Sequence, residues 1–168
     1  MRLQSIRRGY ERALEWIVIV LMIALAVEVT AGVVFRYTGR SLVWYDEVAT
    51  ILLAWVTFYG SALAVLKHAH LGVPEIVRLM PPQLRVVVTV FAQACTLAFF
   101  ALLAWTGYSI LEILATDYLV SLPGVSVAYV NSVIPISAVL IIIGQLLVFP
   151  EVLRDARQGH VAKAEDTL

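Results

Sequence analysis

LVWYDEVATILLAWVTFYGSALAVL, residues 42–66, has the length and apolarity of a membrane-spanning helix. It nevertheless carries two adjacent acids, Asp46 and Glu47, beside Trp44 and Tyr45. Charge inside hydrocarbon is costly, so the acid pair marks an end of the span. The positive end of a helix dipole favours negative charge in the first turn, and Trp and Tyr suit a membrane–water interface. Arg36 and Arg40 lie across a short loop and are placed to pair with the acids. The constellation reads as an anchored helical hairpin and lacks general-base geometry.

Three more apolar stretches flank this one. The spacing predicts spans over about 14–37, 44–66, 85–113 and 128–149, each near or above the ~20 residues a crossing helix needs. Thr38-Gly39, Gly72, Pro74, Pro123-Gly124 and Pro150 punctuate them. The expected fold is therefore an all-α membrane protein. It is a single domain over 1–168, a bundle of four transmembrane helices with a polar tail over 150–168. An interfacial helix is expected over 3–12 and a short surface helix near Glu75–Met80. Composition agrees: 61% of the 168 residues are hydrophobic, mean hydropathy is +0.90, and soluble domains run at about 45–50% apolar. Arg2, Arg7 and Arg8 before an apolar run imitate a signal peptide, with Ala24-Leu25-Ala26 as a cleavage-like site. The run continues to Phe35, so it is expected to remain as the first span.

Ten of the twelve Lys and Arg residues fall on one side of these spans, in the two tails and the middle loop. Arg36 and Arg40 alone fall on the other. The positive-inside rule then places both termini in the cytoplasm. Trp44, Tyr45, Trp105, Tyr108 and Tyr118 would lie near the outer interface.

Several function classes are disfavoured. Lys+Arg and Asp+Glu are equal at 12 each, which gives no basic surface for nucleic acid. Cys95 is the one cysteine, so neither an internal disulfide nor a cysteine-ligated zinc is available. His68, His70 and His160 lie outside the spans, which argues against an intramembrane haem anchor. His68 and His70 with Glu75 resemble a metal cluster, but a polar turn at the headgroups explains them better. No nucleophile motif or phosphate loop appears, so no catalytic, metal or cofactor site is expected. Internal repeats, common in self-sufficient carriers, are also missing.

Several residues inside the spans stand out. Glu28 is an acid well inside the first span and is by default a functional candidate. Its competing reading is a carboxyl hydrogen-bonded against another helix, with Ala24, Ala31 and Gly32 allowing close approach. Pro135 is expected to kink the fourth span, with Asn131, Ser132 and Ser137 compensating. Gly60 and Ala64 give a small-xxx-small spacing, and Trp55 with Tyr59 marks a packing face.

In their order and spacing, four features resemble the small permease (Q-type) subunit of tripartite ATP-independent periplasmic (TRAP) transporters. FRYTGRSLVWYDE carries Arg36, Tyr37, Arg40, Trp44, Asp46 and Glu47. LLAWVTFYGSALAVLKHAHLGVPEIVRLMPP carries Trp55, Gly60 and His70. LPGVSVAYVNSVIPISAVL carries Pro135. The fourth feature is four spans with both ends inside. The resemblance covers roughly residues 14–150. It departs in having Asp46 where a second glutamate is usual and Thr50 where arginine is frequent, so charge pairing at the hairpin stays open. The resemblance implies a bacterial inner-membrane, non-enzymatic subunit that braces a large multi-span permease. A periplasmic binding protein would deliver a small organic anion, such as a carboxylate, for sodium-coupled uptake. A stand-alone carrier or channel, or a membrane anchor for a redox enzyme, are the alternatives.

Overall fold

The computed structural model describes residues 2–40, 42–67 and 81–158. His68, His70, Glu75 and the expected surface helix near Glu75–Met80 lie outside the described residues. The elements are α1 (Arg2–Tyr37), α2 (Tyr45–Leu66), α3 (Pro82–Leu114), α4 (Val127–Asn131) and α5 (Val133–Gln158). Among the described residues four stretches are long and apolar enough to cross a membrane: Arg7–Tyr37, Tyr45–Leu66, Leu84–Leu114 and Val127–Arg154. The chain is an all-α, multi-pass membrane protein.

Helix α1 runs unbroken from Arg2, so the interfacial helix expected over 3–12 is not a separate element. No proline occurs before Pro74, and nothing interrupts the hydrogen-bond ladder. At ~1.5 Å per residue α1 is about 54 Å long, well beyond a ~30 Å hydrocarbon core. Its end is set by Gly39 at φ 74. The Arg40 N–H donates to the Phe35 carbonyl and the Gly39 N–H to the Arg36 carbonyl, at 3.0 and 3.2 Å. That pattern is a Schellman stop, and glycine enters the left-handed region at little cost. Prolines 81 and 82 stand at the N-cap and first position of α3, where a missing N–H costs nothing.

Two ends of the bundle can be distinguished. At the terminal end α1 begins, α2 ends, α3 begins and α5 ends. At the hairpin end lie the α1–α2 loop and the 115–126 loop. The main interfaces are α1 on α2, α2 on α5 and α5 on α3. The bundle is consequently open, with α5 central and α3 at one edge. Its core sits toward the terminal end, where Leu14, Ala62, Val65, Leu66, Ile141 and Val148 are buried together. Large apolar side chains elsewhere point outward along α1 and α3, as expected where the solvent is lipid.

Proline chemistry explains the fourth span. Pro135 cannot donate to the Asn131 carbonyl, and the helix divides at Ser132 into α4 and α5. Pro135 thus falls in the first turn of α5, where an amide would lack an intrahelical partner anyway. The side chains expected to compensate bond other carbonyls than that of Asn131. Asn131 Nδ2 donates to the Val127 carbonyl at 3.0 Å, Ser132 Oγ to Tyr129 at 2.7 Å, and Ser137 Oγ to Ile134 at 3.0 Å. Pro150, expected to end the span, lies inside α5, which continues to Gln158. The tail expected over 150–168 is therefore helical through its first turns. Packing of Val148 and Val152 in the terminal core holds the helix across the proline.

Candidate functional site: an assembly scaffold

The opening acids are positioned by the start of α2, whose first turn contains both. Glu47 Oε2 accepts the Ser121 N–H at 2.9 Å and the Ser121 hydroxyl. The expected partners of the acids are Arg36, Arg40 or a basic group on a large subunit; within this chain Glu47 bonds a serine 74 residues away. Arg36, Arg40 and Asp46 are exposed at the same end. The 115–126 loop is itself pinned, with Leu119 N–H donating to Val125 and Val127 N–H to Asp117, at 3.0 and 2.9 Å. Glu47 therefore latches the α1–α2 hairpin to the loop that enters the fourth span. Trp105, Tyr108 and Tyr118 are 77%, 64% and 59% exposed toward this end, whereas Trp44 and Tyr45 are half-buried.

Trp55 makes the second tie. Its indole Nε1–H donates to the Val130 carbonyl at 3.0 Å. That carbonyl lies in the last turn of α4, where main-chain acceptors lose their helical donors. The Trp55 ring also lies 6.4 Å from Tyr129 and from Tyr59. The aromatic face foreseen in α2 thus seals the break that Pro135 causes. Gly107 of α3 lets Pro135 approach: a Cβ there would lie 3.1 Å from Pro135 Cδ.

At the terminal end, Arg7 pairs with Glu151 of α5 and donates Nη2 to the Leu66 carbonyl at 2.8 Å. Leu66 is the last residue of α2, so the guanidinium sits at the negative end of that helix dipole. Lys67 pairs with Glu15 at 2.5 Å, and Tyr10 donates to the Leu140 carbonyl at 2.8 Å. These bonds join α1, α2 and α5. The Glu15 hydrogen bond raises the Lys67 pKa; burial opposes it, and the charges of Glu15 and Glu11 add to the rise.

Glu28 sits in the α1 stripe that faces inward: Leu14, Val18, Leu21, Leu25, Glu28 and Gly32. Its 4-3-4-3-4 spacing is that of a coiled-coil seam. One turn on, the Tyr45 ring fills the space a Cβ at Gly32 would occupy, so the seam closes on α2. The expectation that Glu28 faces protein holds. The expected hydrogen bond does not appear at one oxygen: Oε1 is buried and meets no partner. Gly60, by contrast, opens outward, with nothing within 4 Å of where its Cβ would stand.

One pair escaped the sequence reading. Gln93 Nε2 of α3 donates to Gln145 Oε1 of α5 at 3.2 Å, and Gln145 is 5% exposed. Two glutamines inside apolar runs were the available signal, since uncharged amides in lipid tend to bond across helices. Among the described residues no group of three or more His, Cys, Asp or Glu side chains could hold a metal.

Residues 25–155 match the family described as tripartite ATP-independent periplasmic transporters, DctQ component. The chain is 31% identical over 90 residues to the C4-dicarboxylate TRAP transporter small permease protein DctQ of Vibrio cholerae, covering 53% of this chain and 39% of that protein. It is 27% identical over 128 residues to the sialic acid TRAP transporter permease protein SiaT of Haemophilus influenzae, covering 75% of this chain and 20% of that protein. A putative TRAP transporter small permease protein of the same species is 27% identical over 138 residues, 80% of this chain and 82% of its own length. The match thus spans about two fifths and one fifth of the first two relatives.

Proposed function

Since the chain belongs to the DctQ component family of tripartite ATP-independent periplasmic (TRAP) transporters, we propose that it is the small membrane subunit of such a transporter. It lies in a bacterial inner membrane with both termini in the cytoplasm. It braces a large permease subunit that takes up a small organic anion, delivered by a periplasmic binding protein and driven by sodium. A carboxylate cargo accords with the C4-dicarboxylate and sialic acid named for two relatives.

One observation carries this reading: the polar side chains described above join helices to one another. Glu47 ties α2 to the 115–126 loop, Trp55 ties α2 to α4, Gln93 ties α3 to α5, and Arg7 ties α1 to α2 and α5. Groups spent on such ties stiffen a support; a conducting path needs polar groups turned toward a passage.

Reconstitution tests the proposal. Proteoliposomes holding this chain, its cognate large permease and the binding protein should accumulate a labelled C4-dicarboxylate or sialic acid under an inward sodium gradient. Omitting this chain should abolish accumulation. Uptake by this chain alone would refute the bracing role.

A further inference from the structure

We propose that the outward face of α1, at the terminal end, is a docking site for the phosphodiester headgroup of an anionic phospholipid, with Arg12 as its principal contact. Helical geometry defines the face. Arg8, Arg12, Trp16, Ile19 and Ile23 recur with 4-4-3-4 spacing. At 3.6 residues per turn they share an arc of roughly 80°. All five are exposed, and their arc lies opposite the buried Leu14.

Charge is sorted across this part of the helix. Arg7 points inward and pairs with Glu151. Glu15 is bonded to Lys67 beyond the end of α2, and the charge of Glu11 acts on the same ammonium. Both acids are thereby engaged on the α2 side. Arg12 has no carboxylate within ion-pair distance among the described residues, and no acid falls within the outward arc. Positive charge is thus turned toward the lipid, at the head of an apolar row.

Depth and space agree. Trp16 opens the apolar run and suits the membrane–water interface. Arg12 stands one turn beyond it, about 6 Å along the axis, within a headgroup layer about 5–7 Å deep. Arg8 adds charge one turn further out. Gly9 has nothing within 4 Å of where its Cβ would stand, and the small, exposed Ala13 follows one turn on. Together they leave a low surface beside Arg12.

Charge complementarity selects the occupant. The phosphodiester of phosphatidylglycerol carries an uncompensated negative charge, whereas the ammonium of phosphatidylethanolamine offsets it. A guanidinium presents paired N–H donors that match phosphate oxygens. Leu84, Val87, Phe91 and Leu102 of α3 form an equally exposed row. That row carries no cation, so it has nothing with which to choose a headgroup.

Native mass spectrometry of the full chain tests the site. The chain is released from mixed micelles holding equal amounts of phosphatidylglycerol and phosphatidylethanolamine, and the retained lipids are counted. The parent should retain phosphatidylglycerol in preference. Arg12→Gln should reduce that preference about fivefold, the effect of one arginine at an anionic surface, and Arg12→Lys should keep most of it. Arg40→Gln removes an exposed arginine at the hairpin end and should change nothing. A parent without preference, or equal losses in Arg12→Gln and Arg40→Gln, overturns the inference. So does displacement of the lipid by millimolar inorganic phosphate, which would mark a site for free anions. The same count is made on the chain bound to its large permease. A preference that persists there supports the lipid site; one that vanishes on assembly assigns the face to a protein contact and overturns it.

Discussion

The sharpest stability expectation concerns Gly107, where α3 meets the first turn of α5. An alanine Cβ there would lie 3.1 Å from Pro135 Cδ, 3.2 Å from Ile134 Cγ2 and 3.4 Å from the Pro135 nitrogen. Two of those atoms belong to a proline ring or the main chain, and neither can rotate away. Overpacking of this kind costs about 1–3 kcal/mol. Replacing glycine by alanine inside a helix returns about 0.5–1 kcal/mol. Gly107→Ala should therefore destabilise the chain by up to about 2.5 kcal/mol. Gly144 provides the internal reference. Its nearest atoms would be at 3.5–3.7 Å, ordinary contact with the flexible Leu66 and Val65 side chains. Gly144→Ala should be neutral or stabilising by up to about 1 kcal/mol. Reversible unfolding in mixed micelles, followed by circular dichroism, reads the difference. If Gly107→Ala proves as stable as Gly144→Ala, the close approach at Pro135 does not govern α3 docking.

Glu28 has a buried oxygen without a partner, a burden of about 1–3 kcal/mol for such a group, so Glu28→Leu should leave the isolated chain at least as stable. With Glu28→Gln retaining uptake in the assembled transporter, the carboxyl is structural; loss of uptake with assembly intact would place it on an ion route. Glu47→Gln should keep the fold yet loosen the hairpin from the 115–126 loop, seen as faster amide exchange at Ser121; unchanged exchange would sink the latch. Lys67 has a raised pKa, so the stability its pair with Glu15 contributes is complete below the ordinary lysine value of ~10.4 and is lost as pH climbs through the raised one. Both side chains are exposed, so the effect is small. Glu15→Gln should flatten the alkaline fall in melting temperature, and an identical fall in both proteins would count against the pair.

The four spans were legible because run length alone separates membrane helices from core helices. The division at Ser132 was foreshadowed as a kink, since Pro135 cannot donate to the Asn131 carbonyl one turn earlier. Continuation through Pro150 was not, because it depends on the packing of Val148 and Val152 in the terminal core. The partner of Glu47 was equally hidden. Two arginines a few residues away are the nearest opposite charges in sequence, but the fold brings Ser121 closer. Gln93 and Gln145 are 52 residues apart, and no periodic pattern in either helix specifies which residue faces which. Local chemistry was readable; the meeting of distant helices was not.

The Arg7 cluster also bears on how the chain is made. Arg7 leaves the ribosome 144 positions before its partner Glu151. Until then α1 and α2 can pair as a hairpin, but the guanidinium lacks its carboxylate and the terminal core lacks Ile141 and Val148. Nascent chains ending before about residue 140 are thus inserted yet unlocked, with α1 free to shift along α2. Closure of this cluster awaits α5, and quality control by membrane proteases would act on the interval before it arrives.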